Sequence, residues 1–186
     1  MRKNMTTRKE KEILIGMRIP KDYFITTGKG ESDITVHAGS YHLALKDAGI
    51  EMCNIMTYSS ILPGIARQVQ RPKELRHGAV METISAVATA TKGKRATAGI
   101  VFGWLYDKKT KKRFGGLVCE YHGNKTVAAT KKELLSSLDE LYKNGFSKRY
   151  ELNEITFNAK TIVPAKRYGT ALVALCFVNY MVPLMD

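Results

Sequence analysis

Two adjacent hydroxyls, Ser59 and Ser60, stand where the apolar run Met52–Tyr58 gives way to Ile61-Leu62-Pro63-Gly64. A chain that meets Pro-Gly must turn, and serines favour turns because their side chains bond the local backbone. Taken alone, the pair is ordinary turn chemistry. Cys53, Cys119 and Cys176 are widely spaced and lack a Cys-x-x-Cys pair. That excludes a disulfide framework and a structural zinc site, and fits a reducing compartment. His37, His42, His77 and His122 have no metal-ligand spacing, so no metal is expected. Phosphate loops, zincin helices, Gly-x-Ser-x-Gly elbows and dinucleotide fingerprints are missing. Glu120 lies in the apolar run Leu117-Val-Cys-Glu-Tyr121. There it is either an ion-paired strand residue or a carboxyl kept protonated by desolvation. Asn54, in the run that leads to the serines, suits backbone capping beside a strand as well as catalysis.

The elements that position these residues are strands with two helices. With 186 residues, 44% hydrophobic and 25% charged, the chain suits one globular domain. Residues 1–12 read as a basic flexible tail and 13–186 as that domain. No apolar run reaches bilayer length and no signal peptide is evident, so a cytoplasmic protein without membrane association is expected. The net charge of +13 is scattered over tails and turns. No stacking platform or helix-turn-helix accompanies it, so nucleic acid is not an expected partner. Tyr23–Thr27 reads as a strand and Gly28–Asp33 as a turn. Tyr41, Ala44, Leu45 and Ala48 predict an amphipathic helix over about 38–48, stopped by Gly49. Residues 79–106 carry two strands broken at Lys92-Gly-Lys, and Asp107–Arg113 reads as a hairpin. Thr130-Lys-Lys-Glu133 predicts a capping box for a second helix, with Gly145 as its left-handed stop. The segments 150–163 and 170–181 are strands, the latter apolar enough to be buried on both faces.

The segment Asp47-Ala-Gly-Ile-Glu-Met-Cys-Asn54-Ile-Met-Thr-Tyr-Ser59-Ser60-Ile-Leu-Pro63 resembles the processing segment of pyruvoyl-dependent arginine decarboxylases. The resemblance continues through Gly115-Gly-Leu-Val-Cys-Glu120-Tyr121-His-Gly123, Lys143-Asn-Gly-Phe146 and the closing strand Ala171–Tyr180. It implies an α+β fold, the four-layer αββα sandwich of the pyruvoyl-dependent arginine and histidine decarboxylases, assembled as a homotrimer. It also implies a carboxy-lyase that cleaves itself between Ser59 and Ser60. Ser60 Oγ attacks the Ser59 carbonyl, the ester eliminates, and Ser60 becomes a pyruvoyl group in place of pyridoxal phosphate. That group captures the amine of a small amino-acid substrate and accepts the electrons left by CO2, converting arginine to agmatine. Glu120 then corresponds to the general acid that returns a proton to Cα, and Asn54 to an oxyanion donor in processing.

One position departs from the family pattern. The helix before Asp47 carries, in that family, an acidic residue for the guanidinium, with Leu45 beside it; here the position is His42. An imidazole cannot form the bidentate pair a carboxylate gives. Either another acid, such as Glu31 or Asp33, serves instead, or the substrate is a different amino acid. A third possibility is an unprocessed relative acting as a basic binding or assembly subunit.

Overall fold

Alternation along the run Tyr168–Phe177 organises the molecule. Ala171, Val173, Leu175 and Phe177 enter one apolar cluster, while Leu172, Ala174 and Cys176 enter another. A strand buried on both faces must sit inside a sheet with partners above and below. The computed structural model describes residues 16–184. Their strands are β1 (Ile19–Pro20), β2 (Asp22–Ser32), β3 (Asn54–Thr57), β4 (Ile61–Pro63), β5 (Arg67–Gln68), β6 (Val80–Thr91), β7 (Ala96–Asp107), β8 (Arg113–Gly123), β9 (Tyr150–Ile162), β10 (Tyr168–Phe177) and β11 (Tyr180–Met181). The helices are α1 (His42–Ala48), entered through a wide helical turn at Val36–Tyr41, and α2 (Val127–Gly145). The expected basic tail, residues 1–12, lies outside the described residues.

The fold is α+β. One sheet runs β3-β6-β10-β2-β5, with β10 antiparallel to both neighbours. The second runs β4-β8-β7-β9, and β1 pairs with β11. Ile84, Val173 and Leu175 of the first sheet meet Ile100, Phe102 and Val118 of the second in one cluster. Helix α1 sets Ala44, Leu45 and Ala48 against Phe24, Leu172 and Cys176. Helix α2 sets Leu134 and Leu138 against Val101, Leu105 and Leu117. Each fully buried Leu, Ile or Phe contributes about 1.5–3 kcal/mol, so these three contact zones hold the sheets and helices in register.

The stretch Gly28–Asp33 is not a turn. Strand β2 runs on through it, and Gly28 and Gly30 serve close packing. A Cβ on Gly28 would stand 2.0 Å from the Ala44 carbonyl oxygen, and one on Gly30 2.4 Å from the Ser40 oxygen. Glycine here lets α1 lie directly on the strand. Gly49 does stop α1, with φ +70°.

Helix α2 begins one turn earlier than Thr130. Thr126 is the cap, its Oγ1 accepting the Ala129 N–H at 3.3 Å, while Thr130 is buried inside the helix. Glu133 pairs with Lys125 instead of closing a capping box. Gly145 is the last helical residue, and the chain leaves through Phe146 at φ −127° rather than a left-handed glycine.

Candidate active site

The serines occupy the link between the two sheets. Strand β3 belongs to the first sheet and β4 to the second, so residues 58–60 must cross between them. Both ends of the crossing are anchored. The Tyr58 N–H donates to the Thr83 carbonyl at 2.7 Å, and its ring packs 5.9 Å from Phe177. Leu62 is fully buried in the cluster between the sheets. Within the span, the Ile61 N–H donates to the Ser59 carbonyl at 2.9 Å, closing a three-residue turn centred on Ser60. The Ser60 carbonyl accepts the Val118 N–H at 3.2 Å.

The Ser60 side chain then has one outlet. Its Oγ donates to both carboxylate oxygens of Glu120 at 2.7 Å. Distances of this length are those of well-formed O–H···O bonds. Glu120 shares its face of the sheet with the buried Val118 and, across the strand pair, Ile100. Cys119 and Tyr121 project to the α2 side, as the period of two requires, and the polar partner of the carboxylate is Ser60.

A hydroxyl held against a carboxylate, beside a carbonyl already accepting an N–H, has the groups for acyl transfer. The thiols are not arranged for this. Burial, and then the Glu120 charge, push the Cys119 thiol up; burial pushes Cys176 up to about 12. Both therefore stay protonated and weakly nucleophilic.

Asn54, His42 and Leu45 lie elsewhere. The Asn54 amide donates to the Gly78 carbonyl at 2.9 Å, at the opposite end of β3 from Ser60. It caps the backbone there. His42 and Leu45 line a cavity of about 460 Å³ with Tyr41, Glu51 and Cys53, which neither Ser60 nor Glu120 reaches. Strand β3, Asn54–Thr57, lies between Asn54 and the serine bend.

The acids suggested as replacements for His42 are engaged. Glu31 accepts the Ala165 and Lys166 N–H groups, and Asp33 that of Arg167.

Sequence reasoning passed over Glu82, although its setting in the apolar run Val80–Ile84 is the same signal that singled out Glu120. It is 2% exposed and paired with Arg18, whose guanidinium also lies over the Tyr180 ring. It also passed over Glu51, whose place in the cavity no spacing reveals. Among the described residues no group of three or more His, Cys, Asp or Glu side chains could hold a metal ion, and no helix is long and apolar enough to cross a membrane.

A serine hydroxyl held on a carboxylate beside a backbone carbonyl, at a turn between two sheets, places a nucleophile and a proton acceptor together. The family model for pyruvoyl-dependent arginine decarboxylase matches residues 22–182, and the chain belongs to that family, whose members are carboxy-lyases with a pyruvoyl prosthetic group. It is 34% identical to the pyruvoyl-dependent arginine decarboxylase AaxB of Chlamydia trachomatis serovar L2, over 89% of this chain and 94% of that protein. It is 29% identical to pyruvoyl-dependent arginine decarboxylase 2 of Archaeoglobus fulgidus, over 86% and 98%. With the enzyme of Methanopyrus kandleri the identity is 27%, over 87% and 99%. The residues at 59–61 fit a pyruvoyl group arising from Ser60, because its hydroxyl, a carboxylate and the adjacent carbonyl are already together.

Proposed function

We propose that the chain cleaves itself between Ser59 and Ser60 and then decarboxylates arginine to agmatine. The observation that carries this reading is the 2.7 Å contact from Ser60 Oγ to Glu120 within a turn that accepts through the Ser59 carbonyl. Ser60 Oγ adds to the Ser59 carbonyl carbon while its proton passes to Glu120. The Ile61 N–H supports the negative charge growing on the carbonyl oxygen. The C–N bond then breaks, giving an ester and a free amine on Ser60. Elimination across the Cα–Cβ bond of residue 60 expels the Ser59 carboxylate. Water then replaces the nitrogen as ammonia, leaving the pyruvoyl group on the chain 60–186.

When present, that group supplies an electron sink for the pair left by departing CO2. Glu120 then stands beside residue 60 as the proton carrier for the substrate Cα. His42 and Leu45 belong to the substrate side.

Within one chain, the cavity lined by His42 and Leu45 does not include Ser60 or Glu120. We therefore infer a homotrimer in which the serine bend of one copy faces the helix side of the next. The packing of α1 and α2 on the two sheets supports a four-layer αββα sandwich formed by one domain, residues 13–186. Three free cysteines suit a cytoplasmic location.

His42 favours a second reading, decarboxylation of a less basic amino acid. The test combines a denaturing gel with CO2 release from arginine, histidine, lysine and glutamate. The first reading expects bands of about 7 and 14 kDa and strong release from arginine. A single 20.8 kDa chain without release would make this an unprocessed binding or assembly subunit.

A further inference from the structure

We propose that Glu51, not residue 42, is the carboxylate that receives the cationic end of the substrate. This rests on the arginine decarboxylase reading and assigns its specificity. A guanidinium taken out of water needs a charged partner, and a carboxylate meets its fork with two parallel bonds.

The cavity beside α1 provides the setting. It holds about 460 Å³, and Glu51 is the carboxylate among its lining residues, a size in the range of small-molecule sites. Leu45 and Cys53 give an apolar wall for a methylene stem. The Tyr41 ring, held by stacking on His37 at 5.7 Å, offers a face for the cation. Burial and then the nearby charge of Glu51 raise the Cys53 thiol.

The neighbouring acids are committed. Glu31 and Asp33 hold backbone N–H groups of residues 165–167. Asp47 accepts the Lys29 N–H at 2.9 Å and faces Lys160 Nζ at 3.6 Å. Glu82 is closed by Arg18, and Glu120 by Ser60. Among the described residues Glu51 takes part in no ion pair. His42 shares the cavity, but it offers at most one lone pair and, once protonated, repels a guanidinium.

The probe is agmatine, titrated calorimetrically into the uncleaved Ser60→Ala chain, alone and with Glu51→Gln or Glu51→Asp. In the processed enzyme, KM and kcat for arginine are measured for the same two Glu51 variants. We expect Glu51→Gln to weaken agmatine and raise KM by roughly 10–100-fold, the scale of a lost charged hydrogen-bond pair. It should leave kcat and self-cleavage within a fewfold, and Glu51→Asp should recover most of the affinity. Agmatine affinity unchanged in Glu51→Gln, or no agmatine binding at millimolar concentration, overturns the assignment. If the chain binds agmatine through Glu51 yet never cleaves or releases CO2, the decarboxylase reading fails while the assignment stands.

Discussion

The serine bend and the cavity beside α1 are built on opposite principles. The bend is held by backbone. Tyr58 is tied to Thr83, Leu62 is sunk between the sheets, and Ile61 and Val118 donate to consecutive carbonyls. The cavity is lined by side chains on a short helix and the loop after it, and His42 there is exposed. A bond to be broken in the chain must be positioned before any ligand arrives, and only covalent neighbours and buried anchors do that. Recognition of a side chain can be altered one residue at a time without disturbing the bend. On the proposed reading, that is how a histidine stands where the resemblance implies an acid.

The largest expected effect breaks the bend outright. Ser60→Ala removes the attacking oxygen, so the protein should run as one 20.8 kDa chain on a denaturing gel and release no CO2. Cleavage of that variant at the wild-type bond would show that another group attacks. Glu120→Gln tests the partner of the hydroxyl. Cleavage should slow, and turnover of whatever enzyme forms should fall by ~10²–10⁴-fold, the usual contribution of a positioned acid or base. Single-turnover gels separate the two steps, and unchanged rates in both would release Glu120 from either role.

Two packing changes separate the regions. Leu62→Ala empties a fully buried site, costing about 2–5 kcal/mol. It should slow cleavage in proportion as the bend loosens, whereas agmatine binding to the uncleaved chain should hold. Gly28→Ala acts on the other side, because its Cβ would meet the Ala44 oxygen at 2.0 Å and force α1 outward. We expect a loss of about 1–3 kcal/mol, read as a lower Tm, and a raised KM in protein that still cleaves. Equal effects of both variants on cleavage would mean that the two regions are one unit. The smallest change is a control on α2. Thr126→Ala removes the cap bond to Ala129 and should cost about 1 kcal/mol without altering cleavage or KM.

The closing strand, the Gly49 stop and the Asp107–Arg113 hairpin were legible from local pattern, because each depends on alternation or on a residue's own backbone preference. Ser59, Ser60, Asn54 and Glu120 were legible as candidates because their neighbours in sequence carry the family's motifs. The turn expected at Gly28–Asp33 and the cap expected at Thr130 were misread for one reason. Glycine without a Cβ serves a turn and a close helix contact equally well, and threonine serves a cap and a buried helix position. Only the partner across space distinguishes them.

The sequence by itself determined the strand periodicity and the family to which the chain belongs, since these rest on residue type and spacing along one line. The tertiary structure decided that Ser60 bonds Glu120 across 60 positions and that Asn54 caps the far end of β3. It also brought Glu51 into one cavity with His42. Those pairings are set by which strands lie side by side and which faces they turn inward, and buried contacts between distant segments determine that arrangement.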